Sequence, residues 1–435
     1  MRTVYDKDHI NPDKDVSLLP PDFLYYPEEP EACFNRKGRR WQSAATVAKV
    51  KSGRLFAAYS GGGIDEGPSN YNCMSYSDDD GLTWKNDYLI IDHPEIVRMH
   101  EPILWVAPDG TLWHFWAQSY VYWDGRGGVW GSKCIDPDVP EPHWTEPRRL
   151  CDGVMACKPI VRNDGAWLFP VSIWHNFVTR FHSFPELEKS NIYISTDGGE
   201  SLQYLGGAYH PDTTFDENCI CQRRDGSILM LMRLSNGIGY SESFDGGKTW
   251  TAAARYCVPS PSARMYLGKF PDGDFLLIHH WNFDKRDHMS ALLSHDEGRS
   301  WSEVLLLDER FPVAYPDAFI DETGKVYAVY DRARYGDKEI QLAVFRKEDI
   351  LAGHCVTEGA RIKGVVCKAF GAERTAEEKN GTLWPRKYCD PLKPPTAQLE
   401  QYRHEKTDCF CTVHGHGAHR SCYGDCRRRR ADPRG

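Results

Sequence analysis

Ionisable and aromatic side chains recur at two fixed distances from a series of glycines, and their types suit acid–base, nucleophilic or anion-binding chemistry. Nine residues before a glycine, or seven after one, stand Glu101, Glu217, Arg233, Arg264, His280, Tyr315 and Asp331. Charges at this density would cost much free energy in a protein interior unless they serve a ligand. The pattern therefore predicts a functional site. The alternative is a solvated channel whose charges pair with one another.

The glycines mark the elements that must position these side chains. Each precedes a short apolar stretch typical of a β-strand, such as Ile228, Leu229 and Met230 after Gly226. The series consists of Gly53, Gly110, Gly165, Gly226, Gly273 and Gly324. Its intervals of 47 to 61 residues accommodate one four-stranded unit each. Six such units in a row predict an all-β fold, a six-bladed β-propeller.

A second repeat, S-x-D-x-G-x-T/S-W, has the chemistry of a tight turn between two strands. Its Asp can accept hydrogen bonds from backbone N–H groups, and its Gly can adopt positive φ. The copies run from Ser77 to Trp84, from Ser195 to Leu202 (with Leu in place of Trp), from Ser243 to Trp250, and from Ser294 to Trp301. If the glycine turns join strands one and two of each unit and these motifs join strands three and four, both lie on one face. The opposite face then carries the predicted site.

The four motifs resemble the Asp boxes, or BNR repeats, of the sialidase superfamily, and residues 36–351 resemble a bacterial sialidase-like propeller. The resemblance implies a retaining exo-glycoside hydrolase that releases terminal sialic acid, or a related acidic sugar, from glycans. It also implies three arginines that hold the substrate carboxylate, a Tyr nucleophile with a Glu base, and an Asp acid/base. Asp boxes also occur in propellers that only bind sugars.

Three arginines stand where the resemblance places the carboxylate-binding set. Arg40 precedes the first strand, although the Ile-Pro that follows in the family is replaced and Arg39 could substitute. Arg233 closes a strand of the fourth unit, and Arg286 precedes the strand that leads to the last Asp box. A guanidinium binds a carboxylate bidentately and keeps its proton. The remaining substrate-binding candidates are Arg264, Glu101, His280 and Asp331.

The resemblance assigns the catalytic roles to Tyr315, Glu217 and the glycine-rich loop 61–68. Tyr315 corresponds to the nucleophile and Glu217 to its base. A sialoside carries its carboxylate on the anomeric carbon, so a neutral phenol can approach where an anionic Asp or Glu would be repelled. Asp65 stands where the family keeps its acid/base, and the adjacent Glu66 is an open alternative for that role.

Two other function classes remain open at this point. A hydrolase or lyase for another uronate-bearing glycan would keep the arginines and move the acid–base chemistry to residues such as His280 or His100. A non-catalytic, lectin-like propeller would bind a glycan without the pairing of Tyr315 with Glu217. For the sialidase-type reaction we expect no metal and no other cofactor.

Composition and charge limit the expected partners. The 435 residues carry a net charge of −9 with basic residues concentrated after Val356, so the propeller has an excess of acids and no basic patch for nucleic acid. The amino terminus lacks the apolar run of a signal peptide, and no window approaches the roughly 18 apolar residues of a membrane span. We therefore expect a cytoplasmic protein that binds an acidic glycan but neither nucleic acid nor a membrane.

We predict three regions along the chain: an N-terminal extension over residues 1–35, the propeller over 36–357, and a basic tail rich in Cys and His over 358–435. Strand periodicity is lost in the tail, which favours disorder. An artefactual end and a zinc site are the alternatives, although no C-x-x-C spacing is present. A chain that ends between Leu351 and Gly359 should then remain folded and active.

Overall fold

The computed structural model describes residues 15–25, 34–95, 97–120, 127–174, 185–282 and 284–379. Its strands are β1 (Asp22–Tyr25), β2 (Gln42–Lys49), β3 (Leu55–Gly61), β4 (Tyr71–Ser77), β5 (Lys85–Asp92), β6 (Val97–Val106), β7 (Leu112–Tyr120), β8 (Gly128–Lys133), β9 (Arg148–Asp152), β10 (Val154–Met155), β11 (Ile160–Val161), β12 (Trp167–Ser172), β13 (Ser190–Ser195), β14 (Gln203–Ala208), β15 (Thr213–Gln222), β16 (Ile228–Leu234), β17 (Gly237–Ser243), β18 (Ala254–Arg255), β19 (Tyr266–Lys269), β20 (Phe275–His280), β21 (Met289–Ser294), β22 (Glu303–Asp308), β23 (Val313–Ile320), β24 (Val326–Arg332), β25 (Glu339–Phe345) and β26 (Arg361–Lys368). The α-helices are α1 (Lys347–Ala352) and α2 (Ala376–Lys379), and short 3₁₀ helices span Val16–Leu18 and Pro185–Leu187.

The strands form six antiparallel sheets, which are the blades of a propeller. Blade 1 contains β1 to β5, blade 2 β6 to β9, blade 3 β10 to β14, blade 4 β15 to β18, blade 5 β19 to β22 and blade 6 β23 to β26. Each blade is a meander except that β1 pairs with β5 and forms the outer edge of blade 1. The first strands of neighbouring blades contact one another, and β2 contacts β23, which closes the ring. The predicted all-β, six-bladed propeller is confirmed.

Apolar side chains fill the space between each pair of adjacent blades. Between blades 5 and 6, Leu276 and Ile278 pack in one cluster with Tyr330 and Phe345, and all four are fully buried. Full burial of one such side chain stabilises the fold by about 1.5–3 kcal/mol. Neighbouring blades cover both faces of each sheet, so its central strands are apolar at successive positions. This explains the apolar stretch after each glycine.

The Asp-box turns contain the hydrogen bonds that their sequence predicts. Asp79 Oδ1 accepts hydrogen bonds from Ser77 Oγ and Thr83 N, both at 2.8 Å, and Gly81 adopts a φ of 83°. These donors, the Thr83 hydroxyl foremost, lower the pKa of Asp79 to about 2. Equivalent bonds surround Asp197, Asp245 and Asp296. Because strand direction alternates, the glycine turns and Asp boxes share one face of the propeller, the Asp-box face, and the opposite face is the site face.

Blade 6 extends past the predicted boundary at residue 357. The strand β26 pairs with β25, with Cys367 opposite Ile340, and supplies the fourth strand of the blade. Most of its residues are only half-buried, so it lacks the apolar run that marked the other strands. The boundary was wrong for this reason, and a chain ending between Leu351 and Gly359 would lose a strand of the propeller.

Residues 369–379, here called the return segment, leave β26 and run back to blade 1. Phe370 N donates to Arg36 O at 2.7 Å, and Gly371 N donates to Arg39 O at 2.9 Å. The strand β1, which falls within the predicted extension 1–35, also joins blade 1. The Cys- and His-rich stretch of the predicted tail, from residue 380 onward, lies outside the described residues, and so do residues 1–14.

Candidate active site

Bulges in three inner strands shape the site face. The strands β2, β6 and β23 each shift register against the second strand of their blade at the same point. The residues at these points, Ala44, Glu101 and Tyr315, have φ values of 52°, 51° and 54°. A left-handed conformation at a non-glycine residue costs on the order of 1–3 kcal/mol, and such residues concentrate at functional sites. All three stand nine residues before a glycine, the spacing that the sequence pattern assigned to Glu101 and Tyr315.

Tyr315 lies among three arginines. It is 7% exposed, and the guanidinium carbons of Arg264, Arg286 and Arg334 lie 4.8, 5.4 and 5.4 Å from its ring centroid. Three cations at this distance stabilise negative charge on a phenol oxygen. The arrangement therefore suits a tyrosine that loses its proton during a reaction.

Two buried glutamates share Arg264. Glu217 accepts hydrogen bonds from Arg233 Nη1 at 3.0 Å and from Arg264 Nη2 at 3.4 Å, and Glu101 pairs with the same Arg264 nitrogen. Burial alone would raise the pKa of Glu217, but Arg233 and Arg264 outweigh burial and lower it. Burial, reinforced by the negative charge of Glu217, raises the pKa of Glu101 in spite of Arg264. Of the two glutamates, Glu217 is therefore the one whose ionised form its surroundings favour.

The predicted pairing of Tyr315 with Glu217 is indirect. Within the described ranges the two side chains are not hydrogen-bonded to each other, and Arg264 contacts both of them. Arg264 therefore couples the candidate nucleophile to its candidate base.

Arg286 is the cation of the cluster that lacks a counter-charge. Its Nε and Nη2 donate to Ser262 O at 3.2 and 2.8 Å, and in the described part of the chain no carboxylate lies within ion-pair distance of it. Burial, together with the neighbouring charges of Arg233 and Arg334, lowers its pKa despite the opposing contribution of Tyr315. A half-buried guanidinium without a carboxylate partner among the described residues, in a group of like charges, has the charge and the free donor capacity to accept an anion.

Arg334 and Arg98 belong to the same cluster, and the sequence reasoning missed both. Arg334 Nη1 pairs with Glu66 Oε1 at 2.9 Å, and Arg98 Nη2 lies 3.6 Å from Glu66 Oε2. Burial would raise the pKa of Glu66, but Arg98 and Arg334 lower it. The available signal was position along the chain, because Arg98 stands three residues before Glu101 and Arg334 three residues after Asp331.

Asp65 lies at the edge of this cluster. Its Oδ1 accepts hydrogen bonds from the Tyr335 hydroxyl at 2.7 Å and from Glu66 N at 2.8 Å, and its Oδ2 lies 3.3 Å from Arg374 Nη1. Its side chain is 32% exposed, whereas that of Glu66 is 17% exposed. Of the two candidate acids, Asp65 is the more accessible to a substrate and to water.

The structure does not bring Arg40 or Arg39 to the cluster. Arg40 Nε donates to Ala372 O at 3.1 Å, and its two Nη atoms donate to Glu378 at 2.8 and 2.7 Å. Arg39 is buried against Asp87, at 2.9 Å. Both guanidinium groups therefore have partners outside the cluster. The third arginine beside Arg233 and Arg286 is Arg334.

The remaining predicted residues are buried near the site. Asp331 accepts hydrogen bonds from the Ser43 hydroxyl and from Ala44 N, so it fixes the bulge of blade 1. His280 is fully buried, and burial, with a smaller effect of Arg286, lowers its pKa to about 3. Burial also lowers the pKa of His100, whose Nε2 lies 2.9 Å from Ser119 Oγ. Both imidazoles are therefore neutral at ordinary pH.

A cavity of about 260 Å³ opens at the Asp-box end of the central channel and contains none of the predicted site residues. Its wall includes Lys158, which pairs with Asp317 at 2.6 Å and donates to Val47 O and Leu104 O at 3.0 and 2.6 Å. These acceptors belong to blades 6, 1 and 2, so Lys158 of blade 3 cross-links the inner strands. This structural role explains the buried ammonium.

Within the described ranges, no group of three or more His, Cys, Asp or Glu side chains is arranged to hold a metal ion. No helix in those ranges is long and apolar enough to cross a membrane.

The fold is a six-bladed propeller with Asp-box turns on one face and a cluster of arginines on the opposite face. The sequence pattern of the BNR repeat-like domain matches residues 53–328, and the chain belongs to this family. No curated protein sequence matches the chain.

Solved structures agree with this assignment of fold. The Hadza microbial sialidase Hz136 matches with a TM-score of 0.58 and 19% identity over 71% of this chain and 66% of its own, so the match spans slightly less than two thirds of that protein. A protein of unknown function from Dyadobacter fermentans matches with a TM-score of 0.57 and 17% identity over 75% of this chain and 97% of its own. The intramolecular trans-sialidase of Ruminococcus gnavus matches with a TM-score of 0.55 and 12% identity over 78% and 99%.

Proposed function

We propose that this chain is a retaining exo-glycoside hydrolase of the sialidase type, which releases a terminal acidic sugar with a carboxylate on its anomeric carbon. The observation that carries the proposal is Arg286, a half-buried cation beside Tyr315 with no carboxylate partner among the described residues. A substrate carboxylate would supply the missing anion and relieve the repulsion from Arg233 and Arg334.

Tyr315 is the proposed nucleophile. The phenol oxygen attacks the anomeric carbon and loses its proton as the glycosidic bond breaks. Arg264, Arg286 and Arg334 stabilise the oxygen as negative charge develops on it.

Glu217 is the proposed proton acceptor. Arg233 and Arg264 keep it ionised, so it is able to take a proton at neutral pH. Glu217 must release its hydrogen bond from Arg264 before it can accept the proton of the Tyr315 hydroxyl. A substrate that binds the arginines would permit this release.

Asp65 is the proposed acid/base. It protonates the leaving oxygen in the first step and activates water in the second, and its partial exposure gives both of them access. Glu66 pairs with Arg334 and lies close to Arg98, and both arginines lower its pKa. Glu66 is therefore better suited to orienting these arginines than to donating a proton.

The structure offers less support for the two alternatives. A lyase or hydrolase directed at other uronates would need a base such as His280 or His100, and both imidazoles are at least 99% buried with lowered pKa values. A non-catalytic propeller would have no use for a partly exposed Asp65 in the same cluster as a tyrosine that three arginines contact.

The test is hydrolysis of a fluorogenic sialoside, run beside matched fluorogenic glucuronides and galacturonides. We expect release of the fluorophore from the sialoside alone, and its loss in the Tyr315→Phe variant. Turnover of the uronosides alone, or binding of sialic acid without turnover of any substrate, would contradict the proposal.

A further inference from the structure

One short loop contacts three arginines of the cluster. The loop covers residues 256–265, joins β18 to β19 and carries Arg264. Ser262 Oγ accepts a hydrogen bond from Arg233 Nε at 3.2 Å, and Ser262 O accepts from Arg286 Nε and Nη2 at 3.2 and 2.8 Å. The loop therefore supplies one arginine and the acceptors that hold two others, which come from the neighbouring strand β16 and from the segment before β21.

The sequence of the loop restricts its backbone. Pro259 and Pro261 lack a backbone N–H, and their rings fix φ at about −65°. Val258 and Met265, towards the two ends of the loop, are buried in the apolar cluster between blades 4 and 5. These constraints hold Ser262 in place without the help of a ligand.

Contacts on three sides hold the guanidinium group of Arg233. Besides the bond from Nε to Ser262, its Nη1 donates to Glu217 Oε2 at 3.0 Å, and its guanidinium carbon lies 4.8 Å from the ring centroid of Phe215. The side chain is only 7% exposed. Nη2 is the nitrogen of Arg233 that has no hydrogen-bond partner among the described residues, so it is the one left for a ligand.

The two acceptors that Ser262 supplies carry no charge. A carboxylate at this point would bind both guanidinium groups more strongly, but it would also neutralise them. A hydroxyl and a carbonyl direct the N–H groups and leave the positive charge of Arg286, which has no carboxylate partner in the described ranges, available to an anion. The contacts of Ser262 therefore suit alignment of the arginines for binding.

We propose that Ser262 is a positioning residue of the carboxylate site, which aligns Arg233 and Arg286 so that both guanidinium groups bind one carboxylate of the substrate. The identity of the ligand rests on the proposed function. The hold of Ser262 on the two arginines does not.

The first experiment measures the affinity for a planar, unsaturated sialic acid analogue. Ser262→Ala removes the hydroxyl and keeps the carbonyl, and we expect it to weaken binding about 5- to 10-fold, the factor that corresponds to one hydrogen bond. Ser262→Thr restores the hydroxyl and should bind like the parent. Equal affinities of the parent and Ser262→Ala would overturn the proposal.

Ser260→Ala is the matched control for the loop. Ser260 is buried two residues earlier, and within the described ranges it makes no hydrogen bond to an arginine of the cluster. This variant should bind the analogue like the parent. A loss as large as that of Ser262→Ala would show that the loop as a whole is responsible, and would overturn the specific role of Ser262.

A second pair of variants tests whether the acceptor must be neutral. Ser262→Asn and Ser262→Asp introduce side chains of the same size that differ in charge. The Asp carboxylate would compete with the analogue for the two arginines, so we expect binding about 10-fold weaker than in Ser262→Asn. Equal affinities in the two variants would contradict the argument from neutral acceptors.

A measurement without any glycan distinguishes failure of this inference from failure of the proposed function. NMR of protein labelled with ¹⁵N-arginine reports exchange of the Arg233 Hε proton with water, and Arg233→Lys assigns the resonance. Exchange should be about 5- to 10-fold faster in Ser262→Ala than in the parent and in Ser262→Thr. Equal exchange rates would overturn the positioning role. If exchange is faster in Ser262→Ala but the parent neither binds the analogue nor hydrolyses a sialoside, the proposed function is wrong and the hold of Ser262 on Arg233 stands.

Discussion

Replacement of Arg286 by Met should lower kcat/KM without reducing the free energy of unfolding. Met keeps most of the side-chain volume and removes the charge that has no carboxylate partner among the described residues. Burial and two neighbouring arginines lower the pKa of Arg286, so its charged form is less favourable in the folded protein than in the unfolded chain, and loss of the charge should not reduce the free energy of unfolding.

The cost should appear in catalysis instead. A charge-assisted hydrogen bond to a substrate carboxylate contributes about 1.5–3 kcal/mol, which corresponds to a roughly 10- to 150-fold loss of kcat/KM. The assay is kcat/KM for a fluorogenic sialoside, with Tm measured on the same samples.

Arg223→Met is the matched control. Arg223 is buried, pairs with Glu242 at 2.5 Å and lies at a glycine turn on the Asp-box face. Its loss should lower Tm and leave kcat/KM unchanged. An unaltered kcat/KM in Arg286→Met would refute the assignment of Arg286 to the carboxylate site.

Three further predictions follow from the same structure. Glu217→Gln should lose most turnover, and because Glu217 and Tyr315 act as one unit, the double variant with Tyr315→Phe should be little worse than the poorer single variant in kcat. A chain that ends at Gly359 lacks β26 and should yield little soluble protein with a cooperative melt, whereas one that ends at Lys379 should melt like the parent. Asp79→Asn should be less stable than the parent at pH 7; since the folded-state pKa of Asp79 is depressed, this difference should disappear as the pH falls from about 4 to 2, as measured by urea unfolding.

Much of the fold could be predicted from the sequence because its signals are local. An Asp box is a turn whose donors and acceptors lie within a few residues of one another, as between Asp79 and Thr83. Each glycine turn marks where the first strand of a blade ends and the second begins. Counting along the strands from these turns therefore placed Glu217, Arg264 and Tyr315 correctly at the site face.

The parts that could not be predicted depend on contacts between distant segments. Arg40 has the chain position of a carboxylate-binding arginine, but the return segment, more than 330 residues later, takes up its donors. Arg334 lies in a loop beyond the end of β24, where no strand pattern indicates its direction. β26 was missed because a half-buried edge strand has no continuous apolar run.

The most direct test of the central claim is the rate of sialoside hydrolysis by Tyr315→Phe, measured beside its affinity for a planar, unsaturated sialic acid analogue. The substitution keeps the ring among Arg264, Arg286 and Arg334 and removes only the oxygen that would attack the anomeric carbon. Turnover should fall by orders of magnitude while the analogue, held through its carboxylate, binds with an affinity within a few-fold of that of the parent. Turnover near the parent rate would show that Tyr315 is not the nucleophile.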